Sequence, residues 1–298
     1  MKILVTGGTV FVSKNIAEYF LNKGHEVYVL NRNTKPQISG VKLINSDRRK
    51  IDGRLKNYKF DALVDVTAYT DEDINTLLDN LGVFDSYIMI SSSAVYPETL
   101  KQPFKESDRC GVNKFWESYG VNKINAENAL LKRVKNSYVI RPPYLYGEYN
   151  NIYREAFVFD CALQKLPFYL PKNGEMNLQF FYIKDLCRFI DLIIKKKPIN
   201  KVFNVGNKPI TVKEWVRVCY KVAGENAEFV SVNKSIDQRN YFPFYDYEYV
   251  LDTSLQNYLM PDLTPLETGL KNSFNRYVKN NFQVNKKNYL DFINKYLK

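Results

Sequence analysis

The sequence predicts an α/β chain, a doubly wound parallel sheet with a smaller C-terminal region, and three observations carry that reading. Over the first 140 residues, short, mostly apolar runs alternate with longer segments of helical period. This is the βαβ pattern that lays helices on a parallel sheet. The runs lack the polar alternation of a half-exposed strand, as strands covered on both faces do. The first of them opens onto a paired-glycine turn followed by a helical segment.

Strands are predicted at residues 2–6, 26–30, 42–44, 62–66, 87–91 and 138–141. Between the first two, Phe11, Ile16, Phe20 and Leu21 recur at helical spacing, and Gly24 after Lys23 stops the helix. A further helix is predicted over 117–132, where Tyr119, Lys123 and Glu127 stand four residues apart on one face. After Arg141-Pro142-Pro143 the alternation weakens and aromatic residues thicken. A strand-like run at 178–183, a helical one at 185–194 and another strand at 201–205 predict a return to the sheet. The expected division is a nucleotide-binding domain over 1–142, joined by 178–205, and a mainly substrate-binding region over 143–298.

Composition narrows the class. Hydrophobic residues make up 45% of the 298 and charged residues 25%, ordinary globular usage. No apolar run approaches the ~18 residues that cross a bilayer, so a soluble, cytoplasmic protein with no membrane partner is expected. Cys110, Cys161, Cys187 and Cys219 lack metal-ligand spacing, and His25 alone cannot complete a zinc site with them, so no metal is expected. The formal charge of +11 leaves an anionic partner open, either nucleic acid or a phosphorylated substrate. Its densest run, Lys195-Lys196-Lys197 before Pro198, reads as the solvated end of a helix.

The turn Thr6-Gly7-Gly8-Thr9-Val10-Phe11-Val12-Ser13 lies between a strand and a helix, where free backbone amides meet the pyrophosphate of a dinucleotide in a Rossmann fold. The expected contacts are Gly7, Gly8, Thr9, Val10, Phe11 and Val12. Of the three glycines usual in such a turn only Gly7 is kept, with Val10 and Ser13 in the other places. At the end of the second strand Asn31 could meet a ribose hydroxyl, and Arg32 has the fork geometry suited to a 2′-phosphate. NAD and NADP both stay open. Asp47 is placed to accept from the adenine amino group, and Val66, Thr67 and Ala68 end a strand beside the expected cofactor.

Tyr119-Gly120-Val121-Asn122-Lys123 puts a phenol and an ammonium one helical turn apart, and Ser91-Ser92-Ser93-Ala94-Val95-Tyr96 ends the strand ahead of it. With the Gly7-Gly8 turn, Arg141-Pro142, Tyr146-Gly147, residues 179–186 and Phe203-Asn204-Val205-Gly206, these segments make the chain resemble the extended short-chain dehydrogenase/reductases, the NAD-dependent epimerase/dehydratase family, over nearly its whole length.

The resemblance implies Ser92 as the catalytic hydroxyl with Ser93 as the fallback, Tyr119 as acid/base, and Lys123 holding the nicotinamide ribose while lowering the phenol's pKa. A phenol ionises near ~10 unless a neighbouring cation favours its anion. The implied reaction is hydride transfer at a carbon of a sugar borne on a nucleotide, by epimerisation or net reduction. 4,6-Dehydration is disfavoured, because Ser93-Ala94 stand where the dehydratases carry an acidic pair. A homodimer is implied by the same resemblance. Tyr144, Tyr146 and Tyr153 are expected to stack on the substrate and Arg154 to pair with its phosphate. Asn31-Arg32, Asp47-Arg48-Arg49 and Phe242-Pro243-Phe244 resemble, more narrowly, a bacterial branch whose plant relatives include chloroplast RNA-binding proteins. That leaves a nucleic-acid-binding or regulatory protein on the same scaffold as the alternative.

Overall fold

The computed structural model describes residues 1–279 and 282–298. The chain divides into two compact units, the first comprising Met1–Pro143, Ile183–Gly206 and Leu251–Asp262, the second Tyr144–Tyr182, Asn207–Val250 and Leu263–Lys298.

In the first unit, β1 (Lys2–Thr6), β2 (Glu26–Asn31), β3 (Lys42–Asn45), β4 (Leu55–Asp65), β5 (Leu81–Ile90), β6 (Ser137–Arg141) and β11 (Val202–Asn204) form one sheet in the order β11-β6-β5-β4-β1-β2-β3. All its pairings are parallel. The order reverses at β1, so the crevice at the carboxyl ends of β1 and its neighbours is where such sheets bind ligands. The helices are α1 (Phe11–Asn22), α2 (Asp71–Asn80), α3 (Glu117–Arg133), α5 (Ile183–Lys196) and α7 (Ser254–Leu259). Ile74 and Leu77 of α2 and Ala126 and Leu130 of α3 join Leu4, Leu30, Leu63, Met89 and Val139 in one buried cluster. The alternate strand residues, Val5, Val29, Val64, Ile88 and Ile140, are buried on the opposite face. There α1 packs with α5.

β4 and β5 run longer than the sequence predicts, because their amino-terminal halves carry polar and half-exposed residues that hide the apolar signal. Gly82 permits the extra pairing: a Cβ there would stand 2.4 Å from the carbonyl oxygens of Lys56 and Tyr58. α5 ends on Lys195 and Lys196; Lys195 pairs with Asp191 and Lys197 with Asp85.

In the second unit three two-stranded pairings, β7 (Tyr144–Tyr146) with β10 (Phe180–Tyr182), β8 (Phe168–Pro171) with β13 (Phe229–Val232), and β9 (Asn177–Leu178) with β12 (Ile210–Thr211), accompany α4 (Glu155–Leu163), α6 (Val212–Val222), α8 (Leu266–Val278) and α9 (Tyr289–Tyr296). Its core is aromatic, with the Phe180 and Trp215 rings stacked at 4.9 Å and Phe244 edge-on to both.

The expected boundaries shift accordingly. Residues 178–182 stay in the second unit, because β10 pairs with β7, and the return begins at Ile183. A further return, Leu251–Asp262, lies within the region assigned to 143–298. It is held by the Leu251–Phe104 bridge and by Gln256, whose side-chain oxygen accepts from the Gly206 amide at 2.7 Å. Among the described residues no helix is long and apolar enough to cross a membrane.

Candidate active site

The turn after β1 is shaped by two glycines at φ +91° and +95°. A Cβ on Gly7 would meet Ser13 Oγ at 2.8 Å, and one on Gly8 would meet a Val29 methyl at 2.5 Å. Both positions therefore need the left-handed backbone and the missing side chain. Ser13 fits against Gly7 and donates to the Val10 carbonyl at 3.0 Å. Val10 caps α1 in an extended conformation, which demands no glycine, and the first turn of α1 holds no acidic residue that would repel an anion.

A cleft of about 410 Å³ opens at this end of the sheet. Gly7, Thr9, Val10, Asn31, Arg32, Asp47 and Thr67 line it, as do Arg48, Arg49 and Tyr69. Phe11 is not on its wall: it is 6% exposed and belongs to the core, its large ring favouring burial. Gly8 is buried beneath the turn, and Val12, on the half-exposed side of α1, is likewise absent from the lining. The Asn31 amide is committed to the turn itself, donating to the Gly7 carbonyl at 2.6 Å and to Gln37 at 3.0 Å. Its oxygen accepts from the Asn33 amide at 2.8 Å, so the side chain buttresses the glycine turn. Arg32 is exposed at the rim.

Beneath the cleft lies a polar network absent from the expected site. Asp65, fully buried at the end of β4, accepts from Thr6 Oγ1 at 2.7 Å, the Tyr87 hydroxyl at 2.5 Å, and both terminal nitrogens of Arg48 at 2.9 and 3.0 Å. Arg48 also donates to Thr67 Oγ1 and to the Asp73 carbonyl, each at 2.8 Å. Thr6 Oγ1 receives the Val66 and Thr67 amides at 2.9 and 3.1 Å. Burial pushes the Asp65 carboxyl up, but the Arg48 guanidinium and the hydrogen bonds from Arg48, Tyr87 and Thr6 outweigh it and bring the group down to about 2. One ion pair thus fixes the ends of β1 and β4 and the Asp47-Arg48-Arg49 loop. A single acid closing the apolar run Ala62-Leu63-Val64 was the available signal.

On α3 the predicted stripe runs from the surface inward. Tyr119 is 38% exposed, Lys123 2% and Glu127 2%. Lys123 Nζ donates to the carbonyls of Ala68 at 2.7 Å, in the loop after β4, and of Ile90 at 2.9 Å, at the end of β5. Burial pushes this ammonium down to about 8 against the pull of Asp65 and Glu127. It lies 4.9 Å from the Tyr69 ring centroid, and the Tyr69 ring stands 6.4 Å from that of Tyr119, so an aromatic residue the sequence did not single out sits beside the pair. Ala68 is buried and contributes a carbonyl to Lys123.

Gly120, between Tyr119 and Lys123, lets α3 close on the Ser92 turn: a Cβ there would lie 2.4 Å from the Ala94 carbonyl oxygen. Ser92 Oγ accepts from the Ala94 amide at 3.1 Å, and Ser92 is half-buried while Ser93 is buried. Behind them Glu127 pairs with Arg141 at 2.5 Å and takes the Ser91 hydroxyl, which locks α3 to β5 and β6.

The second-unit residues divide. Arg154 is half-buried, its guanidinium 4.5 Å above the Tyr144 ring. Burial pushes the Tyr144 hydroxyl up to about 12, opposed by Arg154 and Arg239. Tyr144, Tyr146 and Tyr153 depart from the expected stacking role: Tyr144 is 4% exposed, its ring covered by Arg154 and by Phe244 at 4.8 Å. Tyr146 is 1% exposed, packed where a Cβ on Gly269 would stand 2.5 Å from its hydroxyl oxygen. Tyr153 donates to Asp160 at 2.6 Å and stacks on Tyr289 at 5.9 Å. Their rings serve the interior of the unit because an aromatic core needs these large apolar faces.

Comparison with known proteins follows the same outline. The chloroplast stem-loop binding protein of 41 kDa b of Arabidopsis thaliana is 26% identical over 301 residues, covering 92% of this chain and 78% of the relative. An uncharacterized protein of Methanocaldococcus jannaschii is 25% identical, covering 93% of this chain and 96% of its own. Among solved structures, UDP-glucose 4-epimerase of Thermotoga maritima with UDP-glucose superposes with a TM-score of 0.73 at 19% identity, over 94% of this chain and 99% of that one. UDP-glucuronic acid 4-epimerase of Bacillus cereus, in complex with UDP-glucuronic acid and NAD, gives 0.72 at 18% identity over 94% and 99%. The family model described as NAD dependent epimerase/dehydratase matches residues 3–206, which take in the glycine turn, the Ser92 turn and the Tyr119–Lys123 helix, and the chain belongs to that family.

Proposed function

We propose that this protein is an NAD(P)-dependent enzyme that oxidises and re-reduces, or simply reduces, a carbon of a nucleotide-linked sugar. The observation that carries the reading is Lys123, drawn into the interior by the Ala68 and Ile90 carbonyls on the same helical stripe as half-exposed Tyr119. A buried ammonium is costly unless it is used, and perturbed buried groups gather at functional sites. The residues fit a dinucleotide: Gly7 and Gly8 leave room for close backbone approach, the α1 amino terminus carries no acid, and the cleft continues past Arg32 and Asp47.

The cofactor, when bound, accepts or returns a hydride. Tyr119 takes the proton from the sugar hydroxyl as the carbon is oxidised and gives it back on reduction. Lys123 favours the phenolate and holds the nicotinamide ribose, and Ser92 orients the reacting oxygen. Ser93-Ala94 in the turn offer no carboxylate to assist loss of water, which supports epimerisation or reduction over 4,6-dehydration. Arg154 is the residue offered for pairing with the substrate phosphate.

The test is calorimetry with NAD⁺, NADH, NADP⁺ and NADPH, followed by turnover of a panel of UDP-, dTDP-, GDP- and CDP-sugars with the cofactor that binds. Cofactor affinity and turnover of one such sugar are expected; absence of both at millimolar cofactor rejects the reading. The +11 charge and the stem-loop binding relative support a second reading, a nucleic-acid-binding protein on this scaffold. Its mark is RNA affinity falling steeply between ~50 and 200 mM salt.

A further inference from the structure

The Lys123 ammonium is 2% exposed and carries three N–H donors. Two go to the Ala68 and Ile90 carbonyls, and the third has no oxygen partner among the described residues. The charged groups that act on Lys123 through space are Asp65 at the end of β4, Glu127 on α3, Asp73 on α2 and Arg48 in the loop after β3. None of the three carboxylates pairs with it. Asp65 is taken by Arg48, Asp73 by Arg48 and Arg49, and Glu127 by Arg141. A buried cationic donor left unanswered is costly.

An aromatic face stands in for the missing oxygen. Lys123 Nζ lies over the Tyr69 ring, 4.9 Å from its centroid, within the ~6 Å at which the negative face of a ring attracts a cation. The same ring lies 6.4 Å from that of Tyr119, tilted by 54°, so one side chain neighbours both members of the pair. Its backbone is clamped from two directions. The Ala68 carbonyl ahead of it receives Lys123, and the Tyr69 amide donates to the Asp73 carboxylate at 2.9 Å. Asp73 also closes the capping box of α2 with Thr70, which ties the ring's position to a helix end. Tyr69 lines the cleft and is 50% exposed, yet its hydroxyl makes no hydrogen bond among the described residues. What the site uses is therefore the face of the ring.

We propose that Tyr69 is a positioning residue whose π face caps the Lys123 ammonium and holds that charge beside Tyr119 for proton transfer. The role rests on the function proposed above, in which Lys123 serves the Tyr119 phenolate. Without the face, water reaches the third donor, the ammonium is held by two carbonyls alone, and the local dielectric rises. Each change weakens its pull on a phenolate. Tyr119 is already 38% exposed, so its own hydration changes little and the weaker pull decides the sign: ionisation moves to higher pH.

The experiment compares Y69L, which keeps bulk and loses the π face, with Y69F, which keeps both. Tyr119 ionisation is read as the phenolate absorbance of each protein minus that of its Tyr119→Phe counterpart, titrated with and without NAD(P)⁺. The pH profile of kcat/KM on the nucleotide sugar turned over, the calorimetric cofactor Kd and the melting temperature accompany it. Y69L is expected to raise the Tyr119 midpoint and the acid limb of the profile by about half to one pH unit, a loss of about three- to tenfold in rate below the limb. Y69F should follow the wild type in both. Y69A carries the same test should Y69L melt early. An unmoved midpoint in the folded Y69L or Y69A protein, or a shift in Y69F as large as theirs, overturns the proposal. A midpoint that Y69L raises and Y69F restores, in a protein that turns over no nucleotide sugar, leaves the role of Tyr69 standing and rejects the proposed function; turnover with midpoint and acid limb unmoved does the reverse.

Discussion

Replacing Arg48 by Met exposes how the cofactor end of the sheet is held. In the wild type the Asp65 carboxylate, 0% exposed, is met by two Arg48 nitrogens, one tyrosine and one threonine. Met keeps the stem and removes the charge, leaving a carboxylate in the interior with three neutral donors, the Tyr87 and Thr6 hydroxyls and the Thr67 amide. Breaking one side of a buried pair costs about 3–5 kcal/mol.

The pH dependence identifies the cause. In the wild type this carboxyl ionises at about 2 instead of 3.8. Its lowered folded pKa stabilises the fold by roughly 2 kcal/mol above the unfolded value, and that contribution is lost as pH falls through about 2. In Arg48→Met burial acts unopposed by the guanidinium and raises the folded value, so the ionised group destabilises the variant near neutrality. The stability difference is therefore largest at pH values above the variant's raised value, shrinks as pH falls through it, and is gone below about 2. Urea midpoints at pH 7, 5 and 3.5, read by fluorescence, measure it; a difference under about 1 kcal/mol at pH 7, or one that does not change with pH, refutes the reasoning. Cofactor affinity is expected to fall in parallel, because Arg48 also bonds Thr67 on the cleft wall.

Tyr119→Phe is expected to leave cofactor affinity within about twofold and to cut turnover by ~10²–10⁴, since it deletes a proton carrier and keeps the ring; steady-state kinetics against a calorimetric Kd decides it, and retained turnover removes Tyr119 from proton transfer. Lys123→Ala should lower both quantities and the melting temperature, because the Ala68 and Ile90 carbonyls lose their donor. Gly120→Ala places a methyl 2.4 Å from the Ala94 carbonyl oxygen. It should destabilise the chain by about 1–3 kcal/mol in denaturant melts and slow turnover by moving α3 off the Ser92 turn; wild-type stability and rate would show that the approach is not needed. Arg32→Ala should weaken NADP(H) more than NAD(H) in paired titrations, and equal losses would remove Arg32 from 2′-phosphate recognition.

Much of the fold was legible in the linear chain because parallel strands and their helices are written in local periodicity. β1 was read residue for residue, and β2, β3 and β6 to within a residue at their ends, since a buried strand shows as a short apolar run whatever its partners are. The glycine turn and the Tyr119–Lys123 pair were legible for the same reason: each is a local geometry, a positive φ or one turn of helix. The polar halves of β4 and β5 were not, because half-exposed pairing leaves no apolar trace.

What only the tertiary structure decided is which distant groups meet. Asp65 closes a strand and Arg48 stands in a loop, and nothing local pairs them; burial without water made the ion pair and with it the position of the cleft wall. Tyr146 and Tyr153 share a composition with ligand-stacking aromatics, and only the surrounding core showed that their faces are already covered. Periodicity is a property of neighbours along the chain, whereas charge balance and access to solvent are properties of neighbours in space.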